Sequence, residues 1–449
     1  MNTKLRIARG VRFCLLGCLL AGAAVACSGE ESPSTSGEGG TPATGGNAVG
    51  GVAGGTISGT AKGGSTNGSG TVAAGGTTSA SGGQSGVSTA GKGGSTAQAG
   101  GSSVAGSTST MRNVSSLDLV KEMHLGWNLG NTLDAPAGET AWGNPKTTQA
   151  MIDAIKGAGF KTVRIPVTWE KHMGAAPDYV VDETWMDRVE EVTNYVLSVG
   201  MFAIVNTHHD EWVSVMPDAD KAAITARLVK LWTQIATRFN KYDEHLVFET
   251  LNEPRTTDST QWTGGTAEAR AMINAYNLAA VNAIRATGGN NAQRHIMIPT
   301  HAANASATSI GDLVIPNNDP KIIVSLHTYY PYDISMGTAT TWGTDKEKAD
   351  MIAELDRLAT ALPKKGRAAV IGEWGTTDKS NTAVRVEHAR TYAREARARG
   401  FCAIWWDNGF IGKDGFGLLN RKVSPISWYY PEIRDALTSG ATAGAASAR

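Results

Sequence analysis

With 449 residues, and 41 basic residues balanced by 41 acidic ones, the chain is long enough for two or three average domains but has no net charge with which to hold a polyanion. No basic patch interleaved with aromatics occurs, so nucleic acid is excluded as an expected partner. Composition also sets aside about a quarter of the length: residues 28–110 are almost wholly Gly, Ser, Thr and Ala, with scarcely a large apolar side chain to bury.

Residues 1–26 carry the three parts of a secretory signal: basic Lys4, Arg6, Arg9 and Arg12, an apolar stretch from Phe13 to Val25, and small residues ahead of Cys27. The apolar part is too short for a membrane span. Ala24-Val25-Ala26 suits an ordinary signal peptidase, while a Cys directly after small residues also resembles a bacterial lipoprotein site. Ala24, where such a site usually has Leu, weakens the second reading, and Leu15-Leu16-Gly17-Cys18 is a better string too near the start. Both outcomes place the chain outside the cell or on its outer surface, freely secreted or attached to a membrane through a lipidated Cys27. Residues 27–110 then read as a disordered Gly/Ser/Thr linker. Cys14, Cys18 and Cys27 fall in the signal region, which leaves Cys402 alone in the folded part as a core residue.

From Met111 onward, short apolar runs alternate with longer helical ones, the pattern of βα units around a parallel sheet. Strands are expected near His124–Asn128, Lys161–Pro166, Met201–Thr207, His245–Asn252, His295–Thr300, Lys321–His327, Ala368–Glu373 and Phe401–Asp407. That number closes a barrel, so the fold class is α/β, a single (β/α)8 TIM barrel over residues 111–438. Helical stripes lie between the strands: Val189, Val192, Val196 and Val199; Leu228, Leu231, Ile235 and Phe239; Met351, Leu355 and Leu358; Ala389, Tyr392 and Ala396. Gly200 and Gly400 close two of these helices. Residues 439–449 are small and polar and are expected to be disordered.

The strand tips are where the chemistry collects. Two apolar runs end in glutamate, at Asn252-Glu253-Pro254 and Gly372-Glu373-Trp374. Around them the other tips supply Trp127-Asn128, Arg164, His208-His209-Asp210, His327-Thr328-Tyr329 and Trp405-Trp406-Asp407-Asn408. A barrel built only for structure has no reason to gather Glu, His, Asn, Arg and Trp at one rim. Paired carboxylates in that setting suit glycoside hydrolysis, one protonated to give its proton to the leaving oxygen and one ionised. Glu249, four residues before Glu253, reads as a buried structural carboxylate partnered by Arg164. Adjacent histidines on a strand point to opposite faces, which makes a metal shared by His208 and His209 awkward unless the strand has already ended.

On these motifs, with Gly126-Trp127-Asn128-Leu129-Gly130-Asn131-Thr132 and Trp142-Gly143-Asn144-Pro145 added, residues 112–438 resemble glycoside hydrolase family 5, in its branch of endoglucanases, lichenases and xyloglucanases. The resemblance implies a retaining endo-β-1,4-glucanase with Glu253 as acid/base and Glu373 as nucleophile. It implies that Arg164 and Tyr329 hold Glu373, that His327 lies beside Glu253, that Asn252 bonds the sugar 2-hydroxyl and that Trp406 floors that subsite. It assigns His209 as the family's required histidine and His208 to a more distant sugar. Asn131 is expected to bind substrate; Trp169 and Trp212 read as sugar platforms or as packing, and Asp407-Asn408 as shaping the acceptor side. A β-glucan polysaccharide is the expected partner, with xyloglucan, mixed-linkage glucan or β-mannan as alternatives, and a catalytically silent carbohydrate-binding adhesin as the rival of another class. No cofactor or metal is implied, and a monomer is expected.

Overall fold

The computed structural model describes residues 111–214 and 220–448, so the expected signal segment, the linker and Cys27 lie outside the described residues. Eight parallel strands close into a barrel in chain order: β1 (Leu125–Leu129), β2 (Thr162–Ile165), β3 (Phe202–Asn206), β4 (Leu246–Glu249), β5 (Ile296–Asn304), β6 (Ile322–His327), β7 (Ala369–Trp374) and β8 (Cys402–Asp407). β8 returns to β1, with Trp127 opposite Trp405. Every expected strand is present, and the fold is a (β/α)8 barrel. The expected helical stripes are buried against it, among them Val189, Leu228, Leu355 and Tyr392. Among the described residues no helix is long and apolar enough to cross a membrane.

The strands read as continuous apolar runs because both faces are covered. Inside the barrel, Phe202, Ile204, Val247, Met297, Ile323, Val370, Cys402 and Ile404 form an apolar cluster, joined by Leu119, Val120 and Met123 of the helix Ser116–Met123. Cys402 belongs to this cluster as expected, and burial pushes its thiol up to about 12. Further along the barrel the interior turns polar, with Asn128, Arg164, Asn206, Glu249 and Ser325 of β1, β2, β3, β4 and β6 all fully buried. Period-two alternation therefore stacks an apolar layer under a polar one.

Three local departures shape the polar end. β4 stops at Glu249 rather than continuing to Asn252, so Asn252 and Glu253 stand in a turn beyond the sheet. β5 runs past its expected end to Asn304, with a register break after Pro299 and left-handed Ala302 (φ 52°) and Ala303 (φ 49°). That kink lets the Ala302 N–H donate to Pro254 O at 2.8 Å, which pins the turn carrying Glu253. Between β6 and β7 the register shifts after Leu326, bringing His327 opposite Glu373.

The expectation of a disordered tail is overturned. Residues Pro431–Ser447 form one helix that buries Ile433, Leu437, Gly440 and Gly444. The small residues that made the segment look unable to pack are what let it pack. A Cβ at Gly440 would lie 2.4 Å from Arg390 O, and one at Gly444 2.2 Å from Arg394 O, so this helix sits directly on the backbone of helix Thr382–Ala398.

Candidate active site

Arg164 is the hub of the polar layer. Its fully buried guanidinium reaches Glu249 Oε2 from Nε at 2.7 Å, Asn128 Oδ1 and Glu373 Oε1 from Nη1 at 3.0 and 2.8 Å, and Asn252 Oδ1 from Nη2 at 2.7 Å. Only a planar, forked cation satisfies acceptors in these fixed directions. Burial works against the Arg164 charge, but Glu249 and then Glu373 outweigh it, and its pKa is raised. Glu249 also accepts from Asn206 Nδ2 at 2.9 Å and from Ser325 Oγ at 2.6 Å. It is the buried structural carboxylate the sequence suggested, with its lone pairs occupied.

Glu373 ends β7 with both oxygens engaged, Oε1 by Arg164 and Oε2 by the Tyr329 hydroxyl at 2.9 Å. His327 Nδ1 lies 2.8 Å from Glu253 Oε1 and 3.7 Å from Glu373 Oε2. Gly372 makes room for that ring, since a Cβ there would stand 3.0 Å from His327 Nε2 and 3.1 Å from Ser325 Oγ. One carboxylate oxygen of Glu253 and one of Glu373 lie within 4.8 Å of each other, with a His327 ring nitrogen within the same distance of both.

Burial raises the Glu373 carboxyl above the ordinary range; His327 and Arg164 pull against it, and the Glu253 charge adds to the rise. Burial is the largest influence on Glu253 and acts to raise it, but the hydrogen bond and charge of His327 together with the charge of Arg255 outweigh it, and that carboxyl lies below its ordinary value. His327 itself is raised: burial lowers it, and the charges of Glu373 and Glu253 more than offset that. These opposite directions favour the proton on His327 over Glu253 in the free site.

The remaining residues named from the sequence divide. Trp406, half-buried at the end of β8, stacks parallel to His208, with rings 5.8 Å apart and 2° between planes. His208 was expected to face a distant sugar; instead it is 2% exposed and tied to Asn206, while His209 is the more open of the two at 38%. β3 ends at Asn206, so strand alternation does not set which way either ring points. Burial lowers both rings, His209 to about 4 and His208 well below its ordinary value. Asn131 is half-buried in a left-handed turn (φ 57°), its N–H donating to Asp134 Oδ2 at 3.0 Å.

Two residues read as platforms or as packing are engaged by the protein itself. Trp169 is fully buried and donates from Nε1 to Asn206 O at 2.9 Å, so it is packing. Trp212 is half-buried, and the Arg227 guanidinium covers its ring at 4.4 Å. Asp407 is likewise structural: it is fully buried and accepts from Arg421 Nη2 and Leu418 N, each at 2.7 Å. Sequence reasoning missed Asn206 and Ser325, polar residues at interior positions of apolar strands, which the period-two pattern would have flagged. It also passed over Trp142, quoted only within a motif, which stands edge-on to His209 at 5.5 Å.

The profile of the family described as Cellulase (glycosyl hydrolase family 5) matches residues 128–411. Over 342 residues the chain is 52% identical to "Endoglucanase B" of Clostridium cellulovorans, covering 74% of this chain and 77% of that one. It is 54% identical over 337 residues to "Cellulase/esterase CelE" of Acetivibrio thermocellus, spanning 74% of this chain but 41% of that longer relative. A broad-specificity endoglucanase of family 5, subfamily 4, from Clostridium acetobutylicum superposes with a TM-score of 0.70 at 47% identity, over 72% of this chain and 99% of that one. Solved neighbours also include a xyloglucan-specific endo-β-1,4-glucanase from a metagenomic library, at 40% identity with a TM-score of 0.68 over 72% of this chain and 97% of that one. With the barrel, the paired strand-end glutamates and this match across its length, the chain belongs to glycoside hydrolase family 5, the cellulase family.

Proposed function

We propose that the chain is a retaining endo-β-1,4-glucanase in which Glu373 is the nucleophile and Glu253 the acid/base. The observation that carries this reading is that one oxygen of Glu253 and one of Glu373 lie within 4.8 Å of each other, closer than the pair stands when a water must fit between it and the sugar. Retaining glycosidases hold this pair roughly 5 to 5.5 Å apart and inverting ones farther.

Glu373 attacks the anomeric carbon while the glycosidic carbon–oxygen bond breaks, and the leaving oxygen takes a proton from Glu253. The proton is close at hand. The ion pair of charged His327 and ionised Glu253 differs from the neutral pair only by movement of one hydrogen along the 2.8 Å Nδ1···Oε1 contact. A bound sugar excludes water, and desolvation favours the neutral pair, which is the acid-competent form. Arg164 and Tyr329 keep their hydrogen bonds on Glu373, and a proton there would displace one of them. In the second half, Glu253 takes a proton from water as its oxygen attacks the same carbon, and the ester to Glu373 breaks with the anomeric configuration restored.

Trp406 offers a flat apolar face for the sugar at the cleavage point, and Asn252, with its Oδ1 held by Arg164, turns its amide nitrogen to that sugar's 2-hydroxyl. Trp142, His209 and Asn131 border the same end of the cleft. The polysaccharide is a β-1,4-linked glucan, with xyloglucan and mixed-linkage β-glucan accepted as well, a reading supported by the likeness to a broad-specificity endoglucanase, a xyloglucan-specific endoglucanase and a lichenase. The chain acts outside the cell as a monomer, exported through its N-terminal signal and either freely secreted or held to a membrane through Cys27; intact mass of the membrane fraction decides between the two. The activity itself is tested by reducing-end release from soluble β-1,4-glucan, xyloglucan, mixed-linkage glucan, mannan and xylan by the full chain, with Glu373→Gln as control. Release from a glucan that vanishes in the control supports the reading. Binding without release by folded wild type would make the protein an adhesin.

A further inference from the structure

Asn206 stands at the end of β3, fully buried, and its amide orientation is fixed from two sides. The Val167 backbone N–H donates to Oδ1 at 3.0 Å, so that atom is the oxygen. The other atom lies 2.9 Å from Glu249 Oε2, an acceptor already holding Arg164 Nε, so it is the nitrogen. Nδ2 has two hydrogens and no acceptor lone pair. One hydrogen goes to Glu249 and the other to His208 Nδ1 at 3.2 Å.

His208 Nδ1 is therefore an acceptor, and a neutral imidazole that accepts at Nδ1 carries its hydrogen on Nε2. The doubly protonated ring would set N–H against N–H, and burial together with the positive charges of Arg164 and His327 opposes its charge. Nε2 has no hydrogen-bond partner among the described residues, and the ring lies parallel to Trp406.

We propose that Asn206 is a positioning residue that locks His208 as the Nε2–H tautomer, so that the ring beside Trp406 offers the bound sugar a hydrogen-bond donor and no acceptor. The role assigned to the donor rests on the proposed glucanase reading; the tautomer does not. Glu249 ties the two halves of the site together, orienting Asn206 toward His208 with the same oxygen that holds Arg164, which in turn holds Glu373. An Asp at position 206 would accept from Nδ1–H, reverse the ring and set a second carboxylate against Glu249. The locked tautomer also leaves His208 no free lone pair, so Asp134, His208 and His209, whose polar atoms gather within 4.8 Å, form a hydrogen-bonding surface rather than a cation cage.

The test is two-bond 1H–15N correlation NMR on full-length protein labelled with 15N-histidine, with the His208 signals assigned from their loss in His208→Gln. The wild type should show a pyridine-like Nδ1 and a pyrrole-like Nε2 for His208; a pyrrole-like Nδ1 overturns the proposal. Asn206→Asp should convert His208 to the Nδ1–H or doubly protonated form and raise KM on soluble β-glucan roughly tenfold, with kcat changed less. Unchanged His208 shifts in a folded Asn206→Asp protein overturn it, whereas a purely structural Asn206 would lower the melting temperature and leave those shifts alone. If Asn206→Asp does not fold, the wild-type spectrum and Asn206→Ser decide. A wild type with the expected tautomer and no glucan hydrolysis would defeat the glucanase reading and the donor's role in it, but not the tautomer.

Discussion

His327 Nδ1 and Glu253 Oε1 are 2.8 Å apart, close enough for one hydrogen to serve both. That contact sets the alkaline side of the pH profile. As the pH rises, the pair loses its single proton and Glu253 has none to give, so activity falls. Because His327 is raised from its ordinary 6.5, the alkaline limb of kcat/KM is expected above that value. The acid limb reports protonation of Glu373, whose carboxyl is raised from the ordinary 4.5, so activity should be lost on acidification at a pH above that of a free glutamate. A profile flat through pH 8 and dropping only below pH ~4 would contradict both assignments.

Arg164→Met should leave Glu249 as an uncompensated buried charge. A loss of about 3–5 kcal/mol in urea unfolding is expected, the cost of breaking a buried pair from one side. Arg164→Lys restores charge but not the fork, so it should recover stability before activity, with kcat still down about 10²-fold or more.

Trp406 and Trp169 should separate cleanly. Trp406→Ala should raise KM and lower kcat/KM by about tenfold or more, with little change in melting temperature. Trp169→Ala should cost about 3–5 kcal/mol of stability, because its ring is core and its Nε1 bond to Asn206 O is lost. Equal effects of both on substrate binding would return Trp169 to the cleft.

Gly440→Leu places a side chain where a Cβ already meets Arg390 O at 2.4 Å. It should destabilise the protein by about 1–3 kcal/mol or more by prising the last helix away. No change in thermal unfolding would show that this helix does not hold the barrel.

The barrel was legible in the sequence because its strands are buried on both faces and end in polar residues, a signal that neither helix nor loop imitates. Glu253, Glu373, Arg164, His327 and Tyr329 were legible for the same reason: each lies at or just beyond a strand end. What sequence did not convey depended on contacts between elements. Nothing local distinguishes the buried Trp169 from the half-buried Trp406, and nothing local says that Gly440 and Gly444 meet a helix backbone rather than water. The burial of His208 and the openness of His209 were not legible either, because β3 stops at Asn206 and the pair lies beyond the reach of strand alternation. Asn206 was missed because its partner Glu249 comes from another strand.

The most direct test of the central claim is to trap the covalent intermediate. The full chain is incubated with a fluorinated β-cellobioside that forms the intermediate faster than it is hydrolysed, and the labelled peptide is sequenced by mass spectrometry. The account predicts one glycosyl group, on Glu373, absent from Glu373→Gln. A label on Glu253, or no label together with products of inverted anomeric configuration, would contradict it.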